Sequence, residues 1–281
     1  MSAPALSAEA VPSVIAEFFV VQTLLGQGAF GTVVEAKDSR TGACVAVKLE
    51  RRDAEFPQLL YETRVMQELG AHVGIPKFIW FGTDNINNIL IMERLNVTLE
   101  QLRVREQGRL PIQYLHGIGL QVLHRLKTFH HAGFAYRDMK PENFMLKHGV
   151  VHIIDFGLCK RVVDPDTGLH IPYRADKELA GTPRYASIGA HEGEEQTRRD
   201  DLESFVYMMV FLATGTLPWV AAARRGSSGS GRSAHQTKVD TPVDALCGGL
   251  PAAWAATLRH ARALEFEAAP DFRALFRSWQ P

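Results

Sequence analysis

The pattern of hydrophobic residues changes along the chain. Up to about residue 92, short runs rich in β-branched and aromatic residues are separated by turns, which is typical of strands. One helical stripe interrupts them, because apolar residues and one acid, Glu62, recur at helical spacing between Pro57 and Leu69. The runs predict a small antiparallel sheet with strands over residues 19–26, 32–36, 44–49, 79–83 and 88–92.

Helical patterns dominate the rest of the chain. Residues 112–131 carry apolar side chains at helical spacing, and residues 205–213 are apolar on every side but too short to cross a membrane. The second segment therefore predicts a fully buried helix. A hairpin is predicted between them, with strands over 144–146 and 150–154, and apolar faces after residue 241 predict closing helices.

These patterns give the predicted boundaries. Residues 1–18 are small, polar or interrupted by charge and predict a loose N-terminal arm. The sheet part covers 19–92, an extended link covers 93–96, and the mostly helical part covers 97–276. Within the last part, the Gly- and Ser-rich stretch 221–238 predicts a flexible loop.

Composition narrows the classes of function. With 281 residues and 46% hydrophobic content, the chain can build one large domain or two small lobes. The 31 basic and 31 acidic residues cancel, which argues against nucleic-acid or membrane-surface partners. Its three cysteines are too far apart for a CxxC metal or redox motif and predict a reducing compartment. We expect a cytoplasmic monomer, with entry into the nucleus left open.

The stretch from Ala135 to Lys160 carries the candidate chemistry. The predicted hairpin would bring the Asn143 amide oxygen and the Asp155 carboxylate side by side, as ligands for a hard cation such as Mg²⁺. Asp138 would lie one loop away, where it can accept a proton from a hydroxyl, and Lys140 can offset charge on a transferred group. Together these residues predict phosphoryl transfer.

A glycine-rich loop and a buried ion pair are predicted in the sheet part. Gly26, Gly28 and Gly31 match a dinucleotide fingerprint, but strand-like residues rather than a helix follow Gly31, so the loop is predicted to be a hairpin turn that can close over phosphates. Lys48 lies in an apolar strand, and Glu62 on the inward helical stripe is its natural counter-ion. The alternative is that Glu62 lies at the edge of the stripe in water.

Two further positions have competing interpretations. Asp201 precedes the apolar helix, where it could accept backbone N–H groups of the Asp138 loop or simply favour the helix dipole. His130 and His131 invite a metal site, but the sequence offers no partner Cys or His at zinc spacing.

Several motifs together resemble a eukaryotic protein kinase, and more narrowly the casein kinase I family. The general resemblance rests on YRDMKPEN and IIDFG. The narrower one rests on IIDFGLCK, HIPYR, GTPRYASI, RRDDLES and LPW, and the similarity spans about residues 19–276. The resemblance implies an α+β, two-lobed protein-kinase-like fold and an enzyme that uses ATP and Mg²⁺ to phosphorylate Ser or Thr in proteins.

The resemblance also implies roles for individual residues. Asp138 would be the catalytic base, Lys140 would support the γ-phosphate, and Asn143 and Asp155 would bind Mg²⁺. Arg184 would contact anionic groups of the substrate. The implied ATP-binding residues are Leu25, Gly26, Gly28, Gly31, Val33, Ala46, Lys48, Glu62, Met92, Glu93 and Leu95.

The sequence departs from that family in places. Relatives have a Lys-rich helix after LPW, whereas this chain is Gly/Ser-rich there, so a preference for pre-phosphorylated substrates is expected to be weakened or altered. Gly189 and Val206 replace a usual Asn and Gly. The family usually works without activation-loop phosphorylation, so constitutive activity is expected. A catalytically silent scaffold would lack Lys48, Asp138, Asn143 or Asp155, which are all present, and metabolite phosphorylation is a third possibility.

Overall fold

The computed structural model describes residues 11–28, 31–220 and 233–280. Their contacts separate into two units. The first contains the described residues up to Asn96 together with Ile154–Gly157. The second contains Val97–Ile153 and the described residues from Leu158 onward. Among the described residues, no helix is both long and apolar enough to cross a membrane.

The first unit is built on one antiparallel sheet. Its six strands are ordered β1-β2-β3-β4-β6-β5, and one helix, α1, packs against β5 and β6. The elements are β1 Val14–Ile15, β2 Phe19–Gly28, β3 Gly31–Asp38, β4 Cys44–Arg51, α1 Leu59–Leu69, β5 Phe78–Thr83 and β6 Asn87–Glu93.

Alternation along the strands gives this sheet two different faces. In β3 every second side chain is buried, and Val34 and Ala36 join Val47, Leu49 and Ile91 in one apolar cluster. Because successive side chains of a strand point to opposite faces, the residues between them lie on the other face. That second face carries Lys48.

The stretch predicted as a loose arm is partly ordered. Val14 and Ile15 pair with Val20 and Phe19, and Ile15 is buried in the apolar cluster of the sheet. Burial of this side chain outweighs the weak strand signal of its neighbours, so the prediction is corrected for residues 14–15. Residues 1–10 lie outside the described part of the chain.

Helix α1 begins two residues later than Pro57, which the sequence placed in the first helical turn. The Gln58 side chain makes no capping hydrogen bond; instead, Glu50 Oε1 on β4 accepts the backbone N–H groups of Gln58 and Leu59, at 2.6 and 3.0 Å. A carboxylate at this position also suits the positive end of the helix dipole. The sheet thereby fixes the start of the helix that carries Glu62.

The second unit is mostly helical. Helix α3 has the predicted bounds, and the buried apolar helix predicted over 205–213 is the interior of α5. The elements are β7 Val97–Thr98, α2 Leu99–Arg105, α3 Ile112–His131, β8 Phe134–Ala135, a 3-10 turn Pro141–Asn143, β9 Phe144–Lys147, β10 Val150–Ile153, β11 Lys160–Arg161, α4 Ile188–His191, α5 Arg198–Thr214, α6 Ala234–Asp240, α7 Val243–Leu246, α8 Ala252–Ala263 and α9 Phe272–Ser278.

Two small sheets frame the loops of the second unit. The predicted hairpin is confirmed, since β9 and β10 pair from Phe144 with Ile153 to Lys147 with Val150, and β7 adds a third strand. Strand β8, which follows α3, pairs with β11. The segment from Tyr136 to Asn143 therefore has an anchored strand immediately before it and another immediately after it.

The end of the predicted flexible loop is helical. Residues 221–232 of it lie outside the described part of the chain, but α6 begins within the predicted loop, at Ala234. Ser233 caps this helix by accepting a hydrogen bond from the Gln236 N–H, and Lys238 is fully buried. The polar composition of this stretch did not predict α6, because the helix is stabilised by tertiary contacts.

The close approach of Gly31 to β4 can be tested by substitution. Its φ is +114°, and a Cβ there would lie 2.0 Å from the Leu49 carbonyl oxygen, whereas Gly26 has open space. We expect Gly31→Ala to lower the free energy of unfolding by about 2–4 kcal/mol, through backbone strain and overlap. Gly26→Ala is the matched control and should change it by less than about 0.5 kcal/mol. Equal urea midpoints for the two variants would contradict this assignment.

Candidate active site

Lys48 is the buried cation of the first unit. Its Nζ lies 2.6 Å from Glu62 Oε2 on α1 and 3.1 Å from Asp155 Oδ1. Glu62 is only 1% exposed, so the alternative that it lies at the edge of the stripe in water is wrong. The predicted Lys48–Glu62 ion pair is confirmed, and Asp155 adds a second carboxylate to the same ammonium.

The charges of this cluster follow from burial and pairing. Burial acts to lower the pKa of the Lys48 ammonium, but the adjacent Glu62 and Asp155 carboxylates outweigh it and raise that pKa above its usual range. Burial raises the pKa of the Glu62 carboxyl, and the attraction of Lys48 offsets only part of this effect. Lys48 therefore remains a cation at neutral pH. It can neutralise a bound anion only while Glu62 holds it in place.

The Asp-Phe-Gly segment is anchored to the same helix. The Phe156 N–H donates to Glu62 Oε1 at 3.3 Å, and the Phe156 side chain is fully buried. Asp155 has φ +63°, a left-handed conformation that costs a non-glycine residue roughly 1–2 kcal/mol. Such strain persists only where surrounding contacts impose it, and it marks this carboxylate as a candidate functional group.

Four of the predicted ATP-binding residues share one face of the sheet. Val33 is the cross-strand partner of Lys48, and Ala46, two residues before Lys48, is the partner of Met92. Partners across antiparallel strands point to the same side, as do residues two apart in one strand. Val33, Ala46, Lys48 and Met92 therefore lie together, opposite the apolar cluster.

Two glycines of the β2–β3 hairpin are not required by the packing of the sheet. A Cβ on Gly26 or Gly28 would meet nothing within 4 Å, so the fold itself does not require glycine at either position. Gly31 differs, because its conformation and close contact with β4 already explain it. Leu25 lies at an irregularity in the β2–β3 pairing and is 38% exposed.

The predicted link residues lie at the end of β6 and beyond. The strand runs through Glu93, one residue further than predicted, and Glu93 N–H donates to the Lys77 carbonyl. Leu95 is 4% exposed, and Arg94 pairs with Glu35 on β3 at 2.7 Å. These contacts hold the predicted hinge to the first unit.

Asp201 fixes the loop of the second unit that carries Asp138. Its carboxylate accepts the backbone N–H groups of Tyr136 and Arg137, each at 2.8 Å, and lies 2.8 Å from His130 Nε2. This confirms the predicted tether. His130 serves this hydrogen bond rather than any arrangement with His131.

Asp138 is a buried carboxylate with both oxygens engaged. Its Oδ2 accepts from Lys140 Nζ at 2.6 Å and from Asn143 Nδ2 at 3.0 Å, and its Oδ1 accepts from the Thr182 hydroxyl at 2.8 Å. The side chain of Asp138 is 3% exposed. Sequence reasoning found Asp138, Lys140 and Asn143 but missed Thr182, although the GTPRYASI motif that contains it was recognised.

The orientation of Asn143 fits a cation ligand. Its amide nitrogen donates to both the Asp138 backbone carbonyl and the Asp138 side chain, so its amide oxygen points away from this carboxylate. An amide oxygen and a carboxylate suit Mg²⁺. Asn143 belongs to the second unit and Asp155 to the first, so their joint binding of one ion remains a prediction.

Gly181 places Thr182 beside Asp138. With φ +86°, it adopts a conformation that suits glycine, and a Cβ there would lie 2.2 Å from the Arg137 carbonyl oxygen. No bulkier residue fits without moving one of the two loops. The backbone at Gly181 thus fixes the approach of the Thr182 hydroxyl.

Arg184 is exposed, and its guanidinium lies 5.1 Å from the centre of the Phe211 ring. Its role as a contact for anionic substrate groups remains a prediction. Arg137 and Lys160 form a basic cluster around Glu195, with Arg137 Nη1 and Lys160 Nζ 3.5 and 2.6 Å from its carboxylate.

Asp138 is oriented by a lysine and a hydroxyl, and Lys48 on the sheet is paired with carboxylates. Side chains of these kinds are suited to phosphoryl transfer. Comparison with known families supports this conclusion: the sequence model of the protein kinase domain matches residues 19–244. Since this is more than half of the chain, the chain belongs to the protein kinase domain family. It has a two-lobed α+β kinase fold and belongs to the phosphotransferase class of enzymes. Domains of this family use ATP, typically with Mg²⁺, and act on protein substrates.

The Lys48–Glu62 pair makes a stability prediction. Lys48→Met would leave Glu62 buried beside Asp155 without its counter-ion, so we expect the free energy of unfolding to fall by about 3–5 kcal/mol. The double variant Lys48→Met/Glu62→Gln should recover much of that loss. Urea unfolding measures both values. A single variant as stable as the original protein would contradict the pairing.

Proposed function

We propose that the protein is an active serine/threonine protein kinase of casein kinase I type. The observation that carries this proposal is the environment of Asp138, whose Oδ1 already accepts a hydrogen bond from an aliphatic hydroxyl, that of Thr182. A substrate serine or threonine offers the same donor. Lys140, only 2.6 Å from the other oxygen, supplies positive charge next to it.

The proposed reaction is transfer of the γ-phosphoryl group of ATP to that hydroxyl. A bond forms between the hydroxyl oxygen and the γ-phosphorus, and the bond from this phosphorus to the β–γ bridging oxygen breaks. The hydroxyl proton passes to Asp138, and ADP leaves. General-base assistance of this kind contributes typically about 10²–10⁴-fold to a rate, while Lys140 offsets charge on the transferred group.

Nucleotide binding is proposed for the lysine-bearing face of the sheet in the first unit. Lys48 would hold the α- and β-phosphates, and Gly26, Gly28 and Gly31 would cover them with backbone. The proposed adenine contacts are Leu25, Val33, Ala46, Met92, Glu93 and Leu95. The shared face of Val33, Ala46, Lys48 and Met92 supports this assignment. Asn143 and Asp155 would hold Mg²⁺, which supplies positive charge to the phosphates.

The casein kinase I type rests on motifs in the second unit. Ser187-Ile188-Gly189 replaces the common Ala-Pro-Glu, and Ser187 is the N-cap of α4, where its hydroxyl donates to Asp200 at 2.6 Å. Lys140 favours Ser/Thr rather than Tyr acceptors. Arg184 is exposed and available for acidic or phosphorylated substrates.

Constitutive activity is also proposed. An arginine before the catalytic aspartate often requires a phosphate partner, but Arg137 here already lies 3.5 Å from the Glu195 carboxylate, and its Nε donates to the Leu158 carbonyl. Glu195 supplies the negative charge without modification.

We further propose that the protein acts as a monomer in the cytoplasm. Entry into the nucleus is a second location that this proposal allows.

Asp138→Asn tests the enzyme function. The amide keeps the shape of Asp138 but cannot accept the hydroxyl proton, so transfer of labelled phosphate from MgATP to casein should fall about 10²–10⁴-fold. Equal transfer by both proteins would contradict catalysis by Asp138. Absence of transfer by the original protein would favour a silent scaffold, and transfer only to small molecules would favour a metabolite kinase.

Phosphatase treatment tests the constitutive state. Because Glu195 already occupies the basic cluster, treated and untreated enzyme should phosphorylate casein at rates that agree within about twofold. The Glu195→Gln variant is the informative companion, since it removes the charge while keeping the shape. Loss of activity after phosphatase treatment of the original protein would contradict constitutive activity.

A further inference from the structure

Lys238 on α6 is a lysine without exposed surface. Its relative exposure is 0%, and its Nζ donates to the carbonyl oxygens of Pro183 and Ala186, at 2.9 and 2.5 Å. It also lies 2.9 Å from Nε2 of His191, which itself lies 3.1 Å from the Pro183 carbonyl oxygen. Among the described residues, no carboxylate lies within ion-pair distance of it. An ammonium buried with neutral acceptors is costly, so these contacts require an explanation beyond charge pairing.

Aromatic rings complete the surroundings of this ammonium. Nζ lies 5.4 Å from the centre of the Tyr207 ring and 5.2 Å from that of Trp219. These are distances at which a ring attracts a cation. Trp219 Nε1 in turn donates to the Arg184 carbonyl at 2.8 Å. The carbonyl groups of three neighbouring residues, 183, 184 and 186, are therefore bound by Lys238 and Trp219.

The segment whose carbonyl groups Lys238 and Trp219 bind begins beside Asp138, the proposed catalytic base. Thr182 precedes it and donates to Asp138, while Ser187 follows it and begins α4. Pro183 and Arg184 are exposed, whereas Tyr185 and Ala186 are buried. The segment thus presents an exposed edge next to Asp138 and is bound from beneath. We call residues 182–187 the docking segment.

We propose that Lys238 is a positioning residue that holds the docking segment in the conformation required to bind the substrate polypeptide beside Asp138. This inference rests on the proposed kinase function and adds a residue to its substrate site. Lys238 touches neither the hydroxyl nor the nucleotide in this role. It acts through the carbonyl groups of Pro183 and Ala186.

The charge on Lys238 depends on several groups around it. Burial lowers the pKa of Lys238 to about 7, and Glu203 on α5 raises it in part. Burial also lowers the pKa of His191 on α4, and Lys238 adds repulsion. The other facing groups are Tyr207 and Arg262, which share a hydrogen-bonded cluster with Glu203, and His235 on α6, whose ring lies 5.9 Å from that of His191.

The sign of the pH effect follows from the charge of the donor. Below pH 7 the carbonyl oxygens of Pro183 and Ala186 accept hydrogen bonds from an ammonium, whereas above that pH they accept them from a neutral amine. Hydrogen bonds from a charged donor are about twice as strong. We expect the docking segment to be held most firmly at pH 6.5 and less firmly at pH 8.5.

Lys238→Met tests the inference, because methionine has a similar length and no donor. We expect the KM for an unphosphorylated acidic peptide to rise about tenfold, with kcat and the KM for ATP within about twofold of the original values. The peptide KM of the original protein should rise severalfold between pH 6.5 and 8.5, and that of the variant should not. Leu246→Ala is the control for general loss of stability, since this buried residue on α7 has none of these contacts.

Hydrogen exchange gives a readout that does not need activity. The Tyr185 and Ala186 N–H groups both donate to the Thr182 carbonyl, so their exchange reports on the docking segment. Lys238→Met should accelerate it at least about tenfold, and Leu246→Ala should not. Unchanged exchange and unchanged peptide KM would overturn the role of Lys238. If the original protein transfers no phosphate, the kinase proposal fails, but exchange still decides whether Lys238 holds the segment.

Discussion

The buried carboxylate of Asp201 is the constraint on which the loop that carries Asp138 depends. A buried anion requires donors, and Asp201 obtains two from consecutive backbone N–H groups, of Tyr136 and Arg137, and a third contact from His130. Arg137 adopts φ +69° in this arrangement. The next residue is Asp138, so its position depends on the hydrogen bonds that the buried charge of Asp201 on α5 requires, and not on the loop sequence alone.

The same principle organises the first unit. Lys48, Glu62 and Asp155 are brought together from a strand, a helix and a turn, and each side chain compensates for the burial of another. Glu50 fixes the start of α1, which in turn sets where Glu62 meets the sheet. Buried charge is weak evidence of stability, but here it specifies a geometry that apolar packing could not.

Sequence reasoning succeeded where periodicity or a spacing rule applied. The bounds of α3, the β9–β10 hairpin and the Lys48–Glu62 pair all follow from apolar patterns and from the cost of an unpaired buried charge. Contacts between segments distant in sequence were not accessible in this way. Thr182 reaches Asp138 only because Gly181 can pass close to Arg137, and α6 could not be recognised because its burial depends on carbonyl groups some 50 residues earlier.

The central proposal is that Asp138 accepts a proton from an aliphatic hydroxyl of the substrate, and its hydrogen bond with Thr182 supports this proposal. The most direct measurement is a competition among three peptides that are identical except for a single Ser, Thr or Tyr acceptor, with the phosphorylated products identified by mass spectrometry. The account predicts phosphate on the Ser and Thr peptides and none on the Tyr peptide. Phosphate on the Tyr peptide at a comparable rate would contradict it.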